Sequence, residues 1–106
     1  MLKTITEDTF EKEVIKSDLP VLVDLWAPWC NPCIAMEPTI KELAADFDGK
    51  VDIAKLNIDE NPDLAQSLDV MSIPTMLLFK DGKPVERIIG LTAKDKLAGV
   101  LNAVSA

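Results

Sequence analysis

The sequence contains no histidine and no tyrosine among its 106 residues. The lack of histidine excludes His-based acid–base catalysis, Ser–His and Cys–His nucleophile pairs, and any histidine ligand for a metal ion. There are only two cysteines, Cys30 and Cys33, and two residues separate them. A disulfide-stabilised secreted scaffold needs more cysteines, spread farther along the chain. The candidate for chemistry is therefore this one pair of sulfur atoms.

Long apolar runs and an excess of basic charge are missing as well. No segment approaches the ~18 consecutive apolar residues of a transmembrane helix, and residues 1–10 lack the basic and apolar regions of a signal peptide. Eleven basic and 18 acidic residues give a formal net charge of −7, which repels nucleic acid and anionic membranes. We therefore expect a cytoplasmic protein that binds neither; a mature secreted form would have the same features.

The length suits a single domain that spans residues 1–106. Hydrophobic residues make up 48% of the chain, as in globular rather than disordered proteins. A domain of this size buries roughly two thirds of the surface that its unfolded chain exposes. We expect one monomeric domain whose core needs no metal ion to stabilise it.

The apolar pattern changes between a period of two and a period of 3.6 residues, which indicates alternating strands and helices. Thr6 and Asn61 are predicted to cap the first and third of four helices. Predicted strands cover residues 2–5, 21–26, 51–58, 75–79 and 85–89. The order βαβαβα, then ββα, predicts an α/β three-layer sandwich in which helices flank both faces of a mixed central β-sheet.

The two cysteines lie where a buried strand gives way to an amphipathic helix. Positions three apart on a helix share a face, so Cys30 and Cys33 can approach within disulfide-bonding distance. Pro32 is tolerated in a first turn because its missing N–H has no helical partner there. The free N–H groups and the helix dipole both favour a thiolate at Cys30. A dithiol that can open and close a disulfide is the predicted redox group.

Several segments together resemble the thioredoxin family over nearly the whole chain. They are residues 23–30 (Val-Asp-Leu-Trp-Ala-Pro-Trp-Cys), Pro32-Cys33, Pro38, 54–59 (Ala-Lys-Leu-Asn-Ile-Asp), 72–75 (Ser-Ile-Pro-Thr), 77–82 (Leu-Leu-Phe-Lys-Asp-Gly) and Gly90. A lone Cys-x-x-Cys is a moderate signal, whereas this combination in this order is very specific. The resemblance implies a thioredoxin-like fold and a thiol–disulfide oxidoreductase.

The same resemblance assigns catalytic roles to four residues. Cys30 matches the exposed attacking cysteine, and Cys33 matches the cysteine that resolves the mixed disulfide. Asp24 matches the buried carboxylate beneath the pair, and Lys55 matches its nearby partner. Asp24 lies in an apolar strand, so desolvation is expected to raise its pKa and let it accept the Cys33 proton. The alternative interpretation is that Asp24 is an ordinary strand-end carboxylate that faces solvent and that Lys55 is a surface lysine whose aliphatic stem covers the core.

A substrate-binding surface is implied beside the cysteines. Pro74 matches a cis-proline that faces the disulfide. The other residues that the resemblance assigns to this surface are Trp29, Asn31, Pro32, Ile73, Ile89 and Gly90. The implied partners are proteins that carry disulfides and an NADPH-dependent thioredoxin reductase that recharges the chain. No cofactor and no metal site are expected beyond the redox-active disulfide.

Two positions depart from the family pattern. Asn31 stands where the family usually has glycine, and Ile34 stands where it often has a basic residue. Residues next to the sulfurs tune the reduction potential, so the potential and its direction of use stay open, including use as an oxidant. A binding module that uses the apolar face around Trp29 and Pro74 is a second reading. Two further interpretations of the cysteine pair are weaker. As half of a zinc site, the pair needs a dimer to complete the four ligands. As an inert structural disulfide, it closes so short a loop that it adds little stability.

Overall fold

A mixed five-stranded sheet forms the centre of the molecule in the computed structural model, which describes residues 2–105. The strand order is β1-β3-β2-β4-β5. Strand β2 pairs parallel with β3 and antiparallel with β4, while the outer strands pair parallel (β1 with β3) and antiparallel (β4 with β5). The strands are β1 Leu2–Thr4, β2 Val21–Trp26, β3 Asp52–Asn57, β4 Thr75–Lys80 and β5 Lys83–Ile89.

Helical segments cover both faces of this sheet. Three are α-helices and one, between β1 and β2, is a short π-helical segment, a class that is rare in proteins. Their bounds are Glu11–Ile15 for the π-helical segment, α1 Asn31–Asp46, α2 Pro62–Ser67 and α3 Lys94–Ser105. Helices α1 and α3 pack on one face, and the π-helical segment and α2 pack on the other. The predicted three-layer α/β sandwich with a mixed sheet is confirmed.

Strand β2 is buried on both faces, which explains its nearly continuous apolar sequence. Val21, Val23 and Leu25 pack toward the π-helical segment and α2, whereas Leu22 packs toward α1 and α3. Side chains two apart on a strand share a face, so Asp24 lies on the same side as Leu22. A carboxyl group is thereby placed between the sheet and the helix layer that carries Cys33.

The predicted cap at Thr6 is wrong. The Thr6 backbone N–H donates to Thr9 Oγ1 at 2.9 Å in a turn, and the π-helical segment begins only after Phe10. Two apolar residues anchor this segment to the core: Val14 is buried, and Phe10 packs edge-on against Phe79 with ring centroids 5.6 Å apart.

Helix α2 begins at Pro62 as predicted, but Asn61 does not cap it with its side chain. Glu7 supplies the acceptor instead: its Oε1 receives the backbone N–H groups of Asp63 and Leu64 at 3.1 and 3.2 Å. Asn61 Oδ1 accepts the Glu7 backbone N–H at 2.8 Å. The predicted capping role of Asn61 is therefore wrong, because the Asn61 side chain is used to hold the residue that does the capping.

Candidate active site

Helix α1 begins immediately after Cys30, which occupies its N-cap position, and Pro32 lies in its first turn. A disulfide joins Cys30 to Cys33 across a Cα–Cα distance of 5.2 Å. The Cys33 backbone N–H donates to Cys30 Sγ at 3.2 Å. The sulfur of Cys30 thus takes the place of a capping oxygen and receives one of the N–H groups that a helix start leaves unpaired. The same interaction favours negative charge on that sulfur after reduction.

Both cysteines are almost fully covered in the disulfide form. Cys30 is 5% exposed and Cys33 is 3% exposed, so the expected exposure of Cys30 is not found there. The two sulfur-bearing side chains and Ala27 form a small apolar cluster at the start of α1, which Ile73 also contacts. What distinguishes the two cysteines is position, since Cys30 precedes the helix and Cys33 lies within its first turn.

The loop before β4 brings a second group of predicted residues to this cluster. The Ile73–Pro74 peptide bond is cis, and the Ile73 side chain packs against the cysteine cluster. The Pro74 carbonyl accepts the Gly90 backbone N–H at 2.8 Å, and Gly90 has a left-handed φ of 89°. This hydrogen bond joins the start of β4 to the end of β5 beside the disulfide. Ile73, Pro74 and Gly90, which the sequence analysis assigned to the binding surface, therefore lie close together.

Exposed apolar side chains come from the same segments. Trp29, directly before Cys30, is 65% exposed, and Ile89 at the end of β5 is also exposed. Asn31 and Pro32 are exposed in the first turn of α1. Ile34 and Leu91 are exposed apolar residues that the sequence did not assign to a binding surface. Their positions in the sequence could have identified them, because Ile34 directly follows Cys33 and Leu91 directly follows Gly90.

Asp59 is a site residue that the sequence reasoning missed. Its Oδ2 accepts a hydrogen bond from the indole Nε1 of Trp29 at 2.8 Å. Its own backbone N–H donates to Asn57 Oδ1 at 2.9 Å. The exposed indole is therefore held in one orientation by a residue 30 positions away in the sequence.

Asp24 is buried beneath α1, with 2% of its surface exposed. Its Oδ1 has no hydrogen-bond partner among residues 2–105. Burial raises the pKa of Asp24 from 3.8 to about 6, the Lys55 charge opposes that rise, and the Glu37 charge adds to it. A carboxyl group with such a pKa can accept and release a proton near neutral pH.

Lys55 lies directly opposite Asp24 in the pairing of β2 with β3. Its ammonium group is directed elsewhere: Nζ is 3.5 Å from Glu37 Oε1 and 4.1 Å from the centroid of the Trp26 ring. Within the described chain, no ion pair joins Lys55 to Asp24. Glu37 was not among the predicted site residues, although it lies one helical turn after Cys33.

Residues 2–105 contain no group of three or more His, Cys, Asp or Glu that could hold a metal ion. Over the same residues, no helix is long and apolar enough to cross a membrane. The group that can change oxidation state is the Cys30–Cys33 disulfide.

A disulfide that caps a helix, next to a cis-proline on a mixed sheet of this order, defines the class of thioredoxin-like thiol–disulfide oxidoreductases. Comparison with known proteins narrows that class. The sequence model of the Thioredoxin family matches residues 1–103, and the chain belongs to this family.

Curated relatives agree with that assignment. A thioredoxin from Rickettsia bellii is 46% identical over 102 residues, which are 96% of this chain and 97% of the relative. A thioredoxin from Staphylococcus haemolyticus is 50% identical over 98 residues, 92% of each chain. A thioredoxin from Staphylococcus aureus is 54% identical over 81 residues, 76% of this chain and 78% of the relative. The chain is a protein-disulfide reductase that works by dithiol–disulfide exchange through Cys30 and Cys33, with that disulfide as its redox group.

Proposed function

We propose that Cys30 is the attacking thiolate and Cys33 the resolving thiol of this reductase. The observation that carries the proposal is the hydrogen bond from the Cys33 backbone N–H to Cys30 Sγ at the start of α1. It stabilises negative charge on Cys30 rather than on Cys33, and the thiolate is the nucleophile in thiol–disulfide exchange.

The reaction then has two displacements. The Cys30 thiolate attacks a substrate disulfide, forms a Cys30–substrate mixed disulfide and expels one substrate thiolate, which takes a proton from solvent. Cys33 loses its proton and attacks Cys30 Sγ, which closes the Cys30–Cys33 disulfide and releases the second substrate sulfur. Two electrons pass from the dithiol to the substrate. The second step is fast because both sulfurs are held in one helical turn.

Asp24 is the proposed acceptor of the Cys33 proton. Its buried carboxyl has no hydrogen-bond partner at Oδ1 among residues 2–105, and burial raises its pKa to about 6. Such a group is basic enough to take a proton and acidic enough to return it at neutral pH. Lys55 is the proposed electrostatic partner of Asp24: its charge limits the rise of the Asp24 pKa, so that the carboxyl is ionised at neutral pH before it takes the proton.

The proposed substrate-binding surface consists of Trp29, Asn31, Pro32, Ile73, Pro74, Ile89 and Gly90. Trp29 and Ile89 supply exposed apolar area, and Pro74 has no N–H that competes for the sulfurs. Recognition by main-chain pairing and apolar contact is loosely specific for sequence, which suits an electron carrier with many disulfide-bearing partners.

The chain is proposed to be a monomeric single domain that works in the cytoplasm. An NADPH-dependent thioredoxin reductase is proposed to reduce its disulfide again, and its proposed role is in electron transport and redox homeostasis. The two cysteines are both used by the redox disulfide, so none remains for the structural disulfides of secreted domains. The family match covers 103 of 106 residues, which supports a single domain.

Reduction of insulin disulfides by the wild type, Cys30→Ser and Cys33→Ser tests the assignment. Cys30→Ser is expected to abolish turnover and to trap no substrate. Cys33→Ser is expected to accumulate a mixed disulfide through Cys30 that mass spectrometry identifies. Trapping through Cys33 in the Cys30→Ser protein, with none through Cys30 in the other variant, contradicts the order of attack. Equilibration with glutathione then gives the reduction potential and the direction of use.

A further inference from the structure

Glu37 is a third charged residue near Asp24, beside Lys55, and the proposed catalytic roles assign it no function. It lies four residues after Cys33 on α1, and residues at this spacing share one face of a helix. Its Oε1 is 3.5 Å from Lys55 Nζ, with the side chains of Lys55 and Glu37 18% and 36% exposed. The cation that faces Asp24 across the sheet is thus partnered by a carboxylate from the helix above.

Lys55 is held from two sides. Besides Glu37, its ammonium lies 4.1 Å from the centroid of the Trp26 ring, a cation–π distance. Trp26 follows Asp24 by two residues on β2 and therefore shares its face of the strand. Both partners of Lys55 are accordingly groups other than Asp24, although Asp24 is its direct neighbour in strand register.

We propose that Glu37 is a positioning residue for this reductase: it holds the Lys55 ammonium away from the Asp24 carboxyl and so keeps that carboxyl available to accept a proton. The inference rests on the proposed role of Asp24 as proton acceptor. A lysine bonded to Asp24 stabilises the ionised form and makes the carboxylate a weaker base. Asp24 Oδ1 is instead left without a partner among residues 2–105.

The charges that act on Asp24 come from two elements. Lys55 of β3 lowers the Asp24 pKa, and Glu37 of α1 raises it through like-charge repulsion. Leu22 on β2 and Met76 on β4, the neighbour of Asp24 in strand register, are apolar residues of the core. Glu37 therefore acts twice, directly through its own charge and indirectly through the position of Lys55.

The test is the pH titration of the Asp24 carboxyl carbon, followed by 13C NMR in the disulfide form, where the cysteines do not titrate. Glu37→Gln preserves shape and removes the charge, so the Asp24 midpoint is expected to fall by about half a unit or more. Glu42→Gln is the matched control: it removes the same charge from the same helix, where Glu42 pairs with Lys94 at 3.2 Å. An unmoved midpoint in Glu37→Gln, or an equal shift in Glu42→Gln, overturns the proposal.

Lys55→Gln and the double variant separate the two actions of Glu37. Lys55→Gln alone is expected to raise the Asp24 midpoint. If Glu37 acts through Lys55, then Glu37→Gln shifts the midpoint less in the Lys55→Gln background than in the wild type. Equal shifts in both backgrounds mean that Glu37 acts by direct repulsion alone and overturn the positioning role.

Kinetics distinguish failure of this inference from failure of the Asp24 assignment. The pH profile of mixed-disulfide resolution, measured in a single turnover, is expected to move to lower pH in Glu37→Gln together with the NMR midpoint. A moved NMR midpoint with an unmoved kinetic profile overturns the role of Asp24 as acceptor, and with it any reaction role for Glu37. Thermal unfolding of each variant confirms that the compared proteins are folded.

Discussion

The indole N–H of Trp29 donates to the carboxylate of Asp59 across 2.8 Å. This bond joins an exposed aromatic side chain next to Cys30 to the turn that follows β3. An exposed tryptophan without such a partner samples several rotamers, and binding must then order it. Asp59 therefore orders the Trp29 side chain of the proposed substrate-binding surface before a substrate binds, without belonging to the redox pair.

Replacing Asp59 by alanine is expected to raise KM for a protein disulfide about fivefold, which corresponds to one hydrogen bond of about 1 kcal/mol. The value of kcat is expected to change little, because the cysteines and Asp24 are untouched. Asp59→Asn keeps an acceptor oxygen and should restore most of the KM. Glu60→Gln removes a charge from the adjacent exposed residue and serves as the control; a KM change there as large as in Asp59→Ala contradicts the specific role of the bond.

Asp24 is expected to reduce the stability of the folded protein at neutral pH. Its pKa is about 6 in the folded state against 3.8 for the unfolded reference, so folding favours the protonated form. The stabilisation from that form is complete below about pH 3.8 and is lost as the pH rises through about 6. By this linkage the wild type is less stable at pH 8 than at low pH by about 3 kcal/mol from this group alone.

Denaturant unfolding of the wild type and Asp24→Asn across pH measures this effect in the disulfide form. The asparagine variant is expected to be the more stable protein at pH 8, and its advantage is expected to shrink as the pH falls toward 4. Glu42→Gln, which changes an exposed carboxyl of α1, provides the baseline for losing one negative charge. A stability difference between Asp24→Asn and wild type that stays constant from pH 4 to 8 contradicts the raised pKa.

The same substitution is expected to slow one step of the reaction and not the other. Without a carboxylate to take the Cys33 proton, resolution of the mixed disulfide should fall about tenfold or more near pH 7. The first attack by Cys30 should change less, because the N–H that supports its thiolate comes from Cys33. Stopped-flow reduction of a model disulfide resolves the two phases. Equal slowing of both phases, or of neither, rules out Asp24 as the specific acceptor for Cys33.

Local features of the chain were predictable from the sequence, and long-range polar contacts were not. The nearly continuous apolar run of residues 21–26 predicted β2, and the spacing of Cys30 and Cys33 predicted the disulfide, because both signals lie within a few neighbouring residues. The cap on α2 comes from Glu7, more than 50 residues earlier in the chain. A side chain at that distance leaves no local signal, and sequence reasoning therefore chose the adjacent Asn61.

The residues of the candidate site likewise fall into those that the sequence predicted and those that only the structure shows. Asp24 and Lys55 were named from the family resemblance, yet Asp59 and Glu37 emerge only when the fold brings them to Trp29 and Lys55. Both are charged residues at exposed or half-exposed positions, where sequence patterns read as ordinary solvated surface. Asp59 ends the 54–59 segment that carries the family resemblance, but no role was assigned to it there, and neither contact leaves a local signal in the sequence.

Glycine-to-alanine substitutions at three positions are expected to differ in sign. Gly82, in the two-residue turn between β4 and β5, has a φ of +79°, and an added Cβ lies 2.9 Å from the Ile15 backbone oxygen. Gly49 has a φ of +81° but open space around the added atom. Gly99 lies inside α3, is exposed, and has neither restriction. The three sites therefore separate backbone conformation, steric contact and helix propensity.

Gly99→Ala is expected to stabilise the protein by about 0.5 to 1 kcal/mol, because alanine loses less backbone entropy in a helix. Gly49→Ala should destabilise it by about 1 kcal/mol, the cost of a left-handed alanine. Gly82→Ala should cost more than Gly49→Ala, since the π-helical segment that ends at Ile15 must also move away from the turn. Chemical denaturation of the three variants checks the order, and a Gly82→Ala protein no less stable than Gly49→Ala contradicts the contact between the turn and Ile15.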